Sequence, residues 1–186
     1  MNKERRKLPD FVYCHECLNY SFSTGKLTRA VRPRHHFKNN RAWGTMNARD
    51  AGKEAGTQVY SGHILVAVGG RQYMAHRIIW HMMIGDIPEG MSIDHINGNS
   101  SDNRLQNLRL ATHKQNMQNR KNSKRNTSGY RGVYWSKARQ KWYAQAYSNS
   151  KHIHLGYFDT PELARDAWTA FATKEHGDFY RKVDVA

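Results

Sequence analysis

One stretch in the second half of the chain cannot contribute to a hydrophobic core. Residues 122–128 are all polar or basic, a composition typical of a linker. The 186 residues must therefore be divided among small units, each of which buries limited apolar surface. We predict an N-terminal basic region with a β-hairpin at 1–74, a compact module at 75–122, the linker at 123–128 and a second module at 129–186.

Positive charge dominates the sequence, and one long stretch of the chain carries basic residues without any acidic ones. The chain has 30 Lys and Arg against 15 Asp and Glu, a formal net charge of +15. No acidic residue occurs between Asp102 and Asp159, whereas twelve Lys or Arg do, so the two signs are not interspersed as on an ordinary solvated surface. The excess positive charges repel one another in the folded chain, and a bound polyanion would offset this repulsion. Double-stranded DNA is the partner that we expect.

The same sequence argues against a membrane partner and against secretion. Gly129, Gly132 and clusters of Ser and Asn interrupt the basic stretch, which disfavours an amphipathic membrane helix. No apolar run is long enough to span a bilayer, and the charged residues 1–10 predict a disordered basic tail rather than a signal peptide. We therefore expect a cytoplasmic protein with no membrane partner and no obligatory protein partner.

Alternating apolar residues followed by helical spacing predict a hairpin and then a helix. Residues 63–75 alternate around a pair of glycines, which is typical of a β-hairpin. From Arg77 onward the apolar residues fall on one helical face, and Gly85 is placed to end the helix. The order that follows is strand, polar loop, strand-like return and helix, at 91–95, 97–103, 105–110 and 112–121.

Aromatic and β-branched residues predict a small sheet after the linker. Thr160 provides a helix N-cap, Pro161 takes the first helical position, and an apolar stripe that includes Trp168 follows. Trp142 is the large apolar residue that we expect to pack on this helix. The predicted fold class is α+β, with a three-stranded antiparallel sheet packed on one C-terminal helix and strands at 130–133, 142–147 and 152–158.

Asp94 and His95 are adjacent at the end of a predicted strand, where successive side chains point to opposite sides of the backbone. One can therefore bind a metal ion while the other accepts a proton, as phosphodiester hydrolysis requires. A hard ion such as Mg²⁺ prefers oxygen ligands and retains several waters, so Asp94 and the amide oxygen of Asn116 would suffice. A strand followed by a helix over this distance can bring the two together.

Asn, Asp and His recur in fixed register around this pair. The pattern is Ile93-Asp94-His95-Ile96-Asn97-Gly98-Asn99, Asp102-Asn103-Arg104, Asn107-Leu108-Arg109, Ala111-Thr112 and Gln115-Asn116. It resembles the HNH endonucleases of the ββα-metal fold, in the phage and intron-encoded homing-type branch. The resemblance implies a small ββα-metal nuclease module in which His95 is the general base and Asn107 orients it. Asp94 and Asn116 would bind one divalent ion, Mg²⁺ or Mn²⁺.

His76, Arg77 and Arg109 are expected to support this set. The pair His76-Arg77 resembles the segment that precedes the motif in the same branch. A lone His at a helix start is commonly a hydrogen-bonded support, so we interpret His76 as structural or phosphate-facing rather than catalytic. The upstream residues that also resemble the N-terminal region of phage HNH proteins are Tyr20, Gly25, Leu27, Thr28, Arg32 and Pro33.

A second pattern lies in the C-terminal module, at Ser128-Gly129-Tyr130-Arg131-Gly132-Val133, Lys141-Trp142-Tyr143-Ala144 and Leu155-Gly156-Tyr157-Phe158-Asp159-Thr160. It resembles the Apetala/ethylene-response-factor DNA-binding domain of plants, which implies that the sheet lies in the major groove. Several family arginines are replaced, so the recognised base sequence does not carry over. Basic residues would bind phosphates and aromatic ones would meet base edges. The expected DNA-binding residues are Arg131, Tyr134, Trp135, Lys137, Arg139, Lys141, Tyr147, Lys151 and His154.

Cys14 and Cys17 leave two interpretations open. Their spacing could form half of a zinc site completed by His15, His35 or His36. The sequence has no second Cys pair, and adjacent histidines are wrongly spaced for a usual zinc finger. Two buried cysteines in a reducing compartment are the other interpretation.

The pattern as a whole predicts a site-specific, homing-type DNA endonuclease in a bacterium or a phage-infected host. A sequence-specific DNA-binding regulator with an inactive nuclease motif is the alternative, and a basic RNA-binding protein is a third class. The intact set of Asp94, His95, Asn107 and Asn116 favours the nuclease, because a pure binding protein has no chemical need for it. RNA is disfavoured because the predicted sheet lacks the paired stacking motif of common RNA modules.

Overall fold

Apolar side chains collect in two separate cores, one in each of two compact units, Met1–His113 and Lys114–Ala186. The structure is a computed structural model and describes residues 7–119, 126–148 and 151–177. Its helices and antiparallel sheets confirm the predicted α+β class. Among these described residues, none of the helices combines the length and apolar character needed to cross a membrane.

The first unit is a series of short elements joined by tight connections. In chain order they are α1 (Phe11–Cys17), β1 (Leu18–Tyr20), β2 (Leu27–Arg29), a 3₁₀ turn (Arg34–His36), α2 (Asn40–Asp50), β3 (Thr57–Gln58), β4 (Ile64–Val68), β5 (Arg71–Met74), α3 (Ala75–Met83), β6 (Ser92–His95), a second 3₁₀ turn (Leu105–Asn107) and β7 (Leu108–Ala111). β1 pairs with β2, β4 lies between β3 and β5, and β6 pairs with β7, all antiparallel.

One core holds the N-terminal region and the strand-loop-strand module together. Leu18 of β1, Leu27 of β2, Val66 of β4, Ile79 of α3 and Ile93 of β6 are all buried in it. Elements this short bury little apolar surface alone, so they depend on one another for stability. The predicted boundary between segments 1–74 and 75–122 falls within this shared core, because Tyr73 and Ala75 both belong to it.

The start of the chain differs from the predicted disordered tail. Asp10 caps α1, because its carboxylate accepts hydrogen bonds from the backbone N–H groups of Val12 (2.9 Å) and Tyr13 (3.3 Å). Leu8 packs against the core. The cap satisfies N–H groups that the first helical turn leaves unpaired, which orders a segment whose charge alone predicts disorder. The tail prediction is therefore wrong for residues 8–10, and residues 1–6 lie outside the described residues.

The predicted C-terminal sheet on one helix is confirmed. After α4 (His113–Gln118) come β8 (Val133–Ser136), β9 (Lys141–Ser148), β10 (Lys151–Phe158) and α5 (Pro161–His176), with β9 central and antiparallel to both neighbours. Val133 and Ala144 are buried together with Trp168 of α5, and Trp142 packs against this core as expected. Thr160 caps α5, because its hydroxyl oxygen accepts from the N–H of Leu163 (3.3 Å).

β8 begins three residues later than the strand that the sequence predicts, because a hydrogen-bonded turn precedes it. Asn126 Nδ2 donates to the carbonyl oxygen of Tyr130 (2.6 Å), and Ser128 Oγ donates to that of Val133 (2.8 Å). Gly132 follows with a φ of 70°, and a Cβ at that position would overlap the Trp168 ring. Of the predicted linker, residues 126–128 take part in this turn, and residues 123–125 lie outside the described residues.

Candidate functional site

Strand β6 ends with Asp94 and His95, just before a polar loop that leads to β7. Asp94 lies opposite Arg109 and His95 opposite Leu108 across the two strands. The side chains of Asp94 and His95 are buried, at 6% and 5% exposure. Residues 96–107, called the polar loop below, then connect β6 to β7.

Asp94 is paired with a cation in the structure. The guanidinium of Arg109 approaches Asp94 Oδ2 through Nε at 3.0 Å and Nη2 at 2.9 Å. A buried carboxylate needs a cationic partner, because removing an unpaired charge from water costs on the order of several kcal/mol. Arg109, which the sequence predicts only as a supporting residue, is the partner in this contact.

Asn103 holds the imidazole of His95. His95 Nε2 donates a 2.9 Å hydrogen bond to Asn103 Oδ1, and Asn103 is 1% exposed. An amide oxygen can only accept, so the neutral imidazole carries its proton on Nε2 and its lone pair on Nδ1. The sequence pattern contains Asn103 but gives it no role, because the four Asn residues of the polar loop are indistinguishable without the fold.

Asn107 joins the two sides of the polar loop through its side-chain amide. Its Nδ2 donates to Asp102 O (2.7 Å) and Asn97 Oδ1 (3.0 Å), and its Oδ1 accepts from Asn97 N (2.9 Å). The 3₁₀ turn at Leu105–Asn107 directs this side chain across the loop, so Asn107 closes the loop. Its role in orienting His95 stays a prediction.

Asp102 and Arg104 stiffen the same loop. Arg104 Nε and Nη2 donate to the two carboxylate oxygens of Asp102 at 2.8 and 2.6 Å. Hydrogen bonds from Arg104, with a further one from Asn97, lower the pKa of Asp102 to about 2. The carboxylate is therefore ionised at neutral pH and can accept all of these bonds.

The N-terminal hairpin of β1 and β2 supports the loop from outside it. Tyr20 Oη donates to Asn103 O (3.1 Å) and accepts from the N–H of Leu105 (2.8 Å). Gly25, with a φ of 72°, packs so closely that a Cβ would meet the backbone of Asn103 and Arg104. Both Tyr20 and Gly25 belong to the upstream pattern seen in the sequence, which gave no indication of what they contact.

The rings of three histidines from separate elements lie close together. His63 precedes β4, His76 lies in the first turn of α3, and the ring of His76 is 5.0 Å from that of His95 and 5.3 Å from that of His63, measured between centroids. Burial, with repulsion from the other two rings, lowers the pKa of His76 to about 3, and burial lowers that of His63. Both rings are therefore neutral at pH 7. The structure places His76 beside His95, with Arg77 next to it on α3.

Asn116, the second predicted metal ligand, lies on α4 in the second unit and is half-buried. Asp94 belongs to the first unit. Their joint action on one ion stays a prediction.

In the C-terminal sheet, aromatic side chains cover the face opposite α5. Ala144 and Ala146 point to the core, so Tyr143 and Tyr147 point away from it. The ring of Tyr143 lies 5.4 Å from that of Tyr134, 5.9 Å from Tyr157 and 6.0 Å from His154. Strand alternation could have predicted that Tyr143 and Tyr157 join this outer face, although the set expected from the sequence omits them.

The structure separates the predicted DNA-binding residues. Tyr134, Tyr147, His154 and Lys141 lie on the outer face by strand register. Lys137 and Arg139 lie in the turn between β8 and β9, where the Arg139 guanidinium stacks 4.6 Å above the Tyr157 ring.

The remaining members of that set lie elsewhere. Trp135 contacts Trp142 (5.2 Å between ring centroids) on the α5 side, and Arg131 lies over the Trp168 ring at 5.3 Å. Lys151 begins β10 opposite Ser148. Strand register therefore distributes these residues over more than one face of the sheet.

Cys14 and Cys17 both lie in α1 and are buried. Burial raises the pKa of the Cys14 thiol to about 11 and also raises that of Cys17, so both favour the neutral thiol. Within the described residues, the groups spaced to hold a metal are His63–His76–His95 and Glu16–His35–His36, and neither contains a cysteine. A zinc site built on the cysteines remains unsupported by this arrangement.

Comparison with known proteins agrees with the geometry around His95. The HNH endonuclease family matches residues 73–118. Protein 3.8 of Escherichia phage T7 is 40% identical over 107 residues, which cover 57% of this chain and 87% of that protein. The SPbeta prophage-derived protein YosQ of Bacillus subtilis (strain 168), named for an HNH homing endonuclease, is 42% identical over 48 residues, 26% of this chain and 28% of YosQ.

Among solved structures, the HNH homing endonuclease I-HmuI, described in a study of its DNA binding and cleavage, is similar at a TM-score of 0.40 and 18% identity. The match covers 81% of this chain and 76% of that one. The similarity to Protein 3.8 and the domain match together place the chain in the family of Protein 3.8, with an HNH endonuclease domain at residues 73–118.

Proposed function

We propose that the protein is a metal-dependent, homing-type DNA endonuclease that hydrolyses phosphodiester bonds at a specific site, with His95 as general base. The observation that carries the proposal is the 2.9 Å hydrogen bond from His95 Nε2 to Asn103 Oδ1. It leaves the lone pair of the neutral ring on Nδ1, the state in which an imidazole can take a proton from water. The matching HNH endonuclease domain contains both residues.

In this proposal the polar loop fixes the direction of the base. His95 accepts the proton of the attacking water at Nδ1. The hydrogen bond to Asn103 keeps the ring in one orientation and its own proton on Nε2. Tyr20 holds the Asn103 backbone from the hairpin side. Proton transfer requires the base within hydrogen-bond reach of its proton, so a fixed ring contributes directly to rate.

The proposed cofactor is one hard divalent ion, Mg²⁺ or Mn²⁺. We propose Asp94 and Asn116 as its protein ligands, because carboxylate and amide oxygens are what such ions prefer. When bound, the ion would offset negative charge on the phosphate and on the leaving oxygen. Arg109 already balances the charge of Asp94 in the structure. Arg109 would therefore compete with a cation for Oδ2 and, once displaced, could turn to the phosphate.

The C-terminal sheet is proposed as the DNA-reading part, of the Apetala/ethylene-response-factor type. The outer face offers stacked aromatic rings, and Arg139 adds charge at one end of it, where Lys141 is paired with Asp159. Phosphate contacts from the basic residues would position duplex DNA, and side chains reaching base edges would supply sequence preference. Arg131 and Trp135 would act from beside the helix rather than from this face.

Incubation of the full-length protein with supercoiled plasmid tests the proposal. Conversion to nicked circles or linear DNA is expected with Mg²⁺ and should stop when the ion is chelated. Tight binding of duplex DNA with no conversion under any divalent ion would contradict the endonuclease. It would favour the regulator with an inactive nuclease motif.

A further inference from the structure

The cluster of His63, His76 and His95 has the composition of a metal site of its own. One ring nitrogen from each histidine lies within 4.8 Å of the nitrogens of the other two. Within the described residues, Nδ1 of His63 and Nδ1 of His76 are buried and have no hydrogen-bond partner. A buried polar atom without a partner costs free energy, and few such atoms persist in folded proteins without a reason.

We propose that these three histidines bind a borderline divalent ion such as Zn²⁺, at a site distinct from the oxygen donors of Asp94 and Asn116. Imidazole nitrogens suit Zn²⁺ and related transition metals, whereas Mg²⁺ requires oxygen ligands. Three histidines with an open fourth position form a known tetrahedral arrangement.

The distances allow the site to close around an ion with small side-chain movements. Zinc–nitrogen bonds of about 2.0–2.1 Å place tetrahedral ligands roughly 3.4 Å apart, so nitrogens within 4.8 Å must approach by at most about 1.4 Å. His63, in the segment before β4, and His76, on α3, come from elements separate from β6, so their rings can move toward the ring of His95, which Asn103 holds. Burial keeps His63 and His76 neutral, and a neutral ring is the form that binds a metal.

An ion at this site would inhibit the nuclease. His95 Nε2 donates to Asn103, so an ion that leaves this hydrogen bond intact binds Nδ1, the atom that we propose as the general base. Zn²⁺ would therefore occupy the base itself rather than compete with Mg²⁺ at Asp94. This inhibition rests on the proposed function, whereas the binding of the ion does not.

Co²⁺ is a suitable probe, because its visible absorption reports tetrahedral coordination and Zn²⁺ should displace it. The full-length wild type, His63→Ala and His35→Ala would be titrated with Co²⁺ after circular dichroism shows that each is folded. His63 is half-buried, so its truncation is better tolerated than that of buried His76. His35 is the matched control, since it is an exposed member of the Glu16–His35–His36 group.

We expect one tetrahedral Co²⁺ per wild-type chain, at least about tenfold weaker binding in His63→Ala and unchanged binding in His35→Ala. A tetrahedral spectrum that survives His63→Ala, or is absent from the wild type, would overturn the site. In plasmid nicking with Mg²⁺, added Zn²⁺ should slow the wild type more than His63→Ala, each compared with its own rate without Zn²⁺. Equal inhibition of both would overturn the block of His95. A wild type that never nicks would count against the endonuclease alone, because the Co²⁺ spectrum still decides the metal site.

Discussion

The hydroxyl of Tyr20 donates a 3.1 Å hydrogen bond to the carbonyl oxygen of Asn103, which lies 83 residues farther along the chain. The same hydroxyl accepts a hydrogen bond from the N–H of Leu105. One side chain of the N-terminal hairpin therefore holds residues 103 and 105, on either side of Arg104, next to the Asn103 side chain that orients His95. The N-terminal region is therefore part of the candidate site through its contacts as well as through the shared core.

Tyr20→Phe should lower both stability and cleavage. The substitution leaves a backbone carbonyl and an N–H of the polar loop without their partner, at a cost of about 1–3 kcal/mol in the free energy of unfolding. Urea unfolding measures this, and single-turnover cleavage measures the loosening of Asn103. Tyr60→Phe is the control, because Tyr60 is fully exposed. An unfolding free energy and a cleavage rate both equal to wild type would show that the Tyr20 contacts do not support the loop.

Asp102 should stabilise the loop in a pH-dependent way. Its pKa is lowered to about 2, below the ordinary range of an Asp carboxyl, so its contribution is complete above about pH 4 and is lost as pH falls through about 2. Asp102→Asn should therefore cost about 1 kcal/mol at pH 7, since Arg104 is partly exposed and solvent screens the pair. The difference from wild type should shrink as unfolding is measured at progressively lower pH. A difference that stays constant down to pH 2 would mean that the ion pair is not its source.

Asp94→Ala and Asn116→Ala should each raise the Mg²⁺ concentration needed for half-maximal cleavage, because each removes a proposed oxygen ligand. The measurement is a Mg²⁺ titration of the cleavage rate for each variant. Asn99→Ala, in the polar loop and outside the proposed ligand set, serves as the control. Metal titrations identical to wild type in both ligand variants would refute a single ion held by this pair.

Arg139→Ala should reduce the salt dependence of DNA binding. Each lost phosphate contact on duplex DNA lowers the slope of log K against log salt by roughly 0.9. Arg165→Ala is matched to it, since Arg165 lies on α5 and is paired with Asp166. The slope should change for Arg139 and not for Arg165. The reverse result would move the proposed DNA surface to the helix side of the C-terminal unit.

Much of the fold follows from the sequence where the local pattern and the tertiary environment agree. The strand ending at His95, the helix beginning near Arg77 and the Thr160 cap are set by alternation, helical spacing and capping residues close in sequence. α2 is not predicted, because its residues are mostly polar and none of them is buried, so no apolar stripe marks it.

The site is less accessible to sequence reasoning, because its contacts are long-range. Asp94 and His95 are marked by a motif of neighbouring residues. Asn103 cannot be told from Asn107 by pattern, since the distinction depends on which way a 3₁₀ turn directs a side chain. The histidine cluster joins residues from three elements, and only the packing of those elements brings the rings together.

The most direct test of the account compares cleavage and binding in the same His95→Ala preparation. A general base contributes rate and little ground-state affinity, so the single-turnover rate with Mg²⁺ should fall by about 10²–10⁴-fold while the Kd for duplex DNA stays nearly unchanged. His35→Ala, which removes an exposed histidine, should retain the wild-type rate. Undiminished cleavage by His95→Ala would contradict the role of His95 as general base.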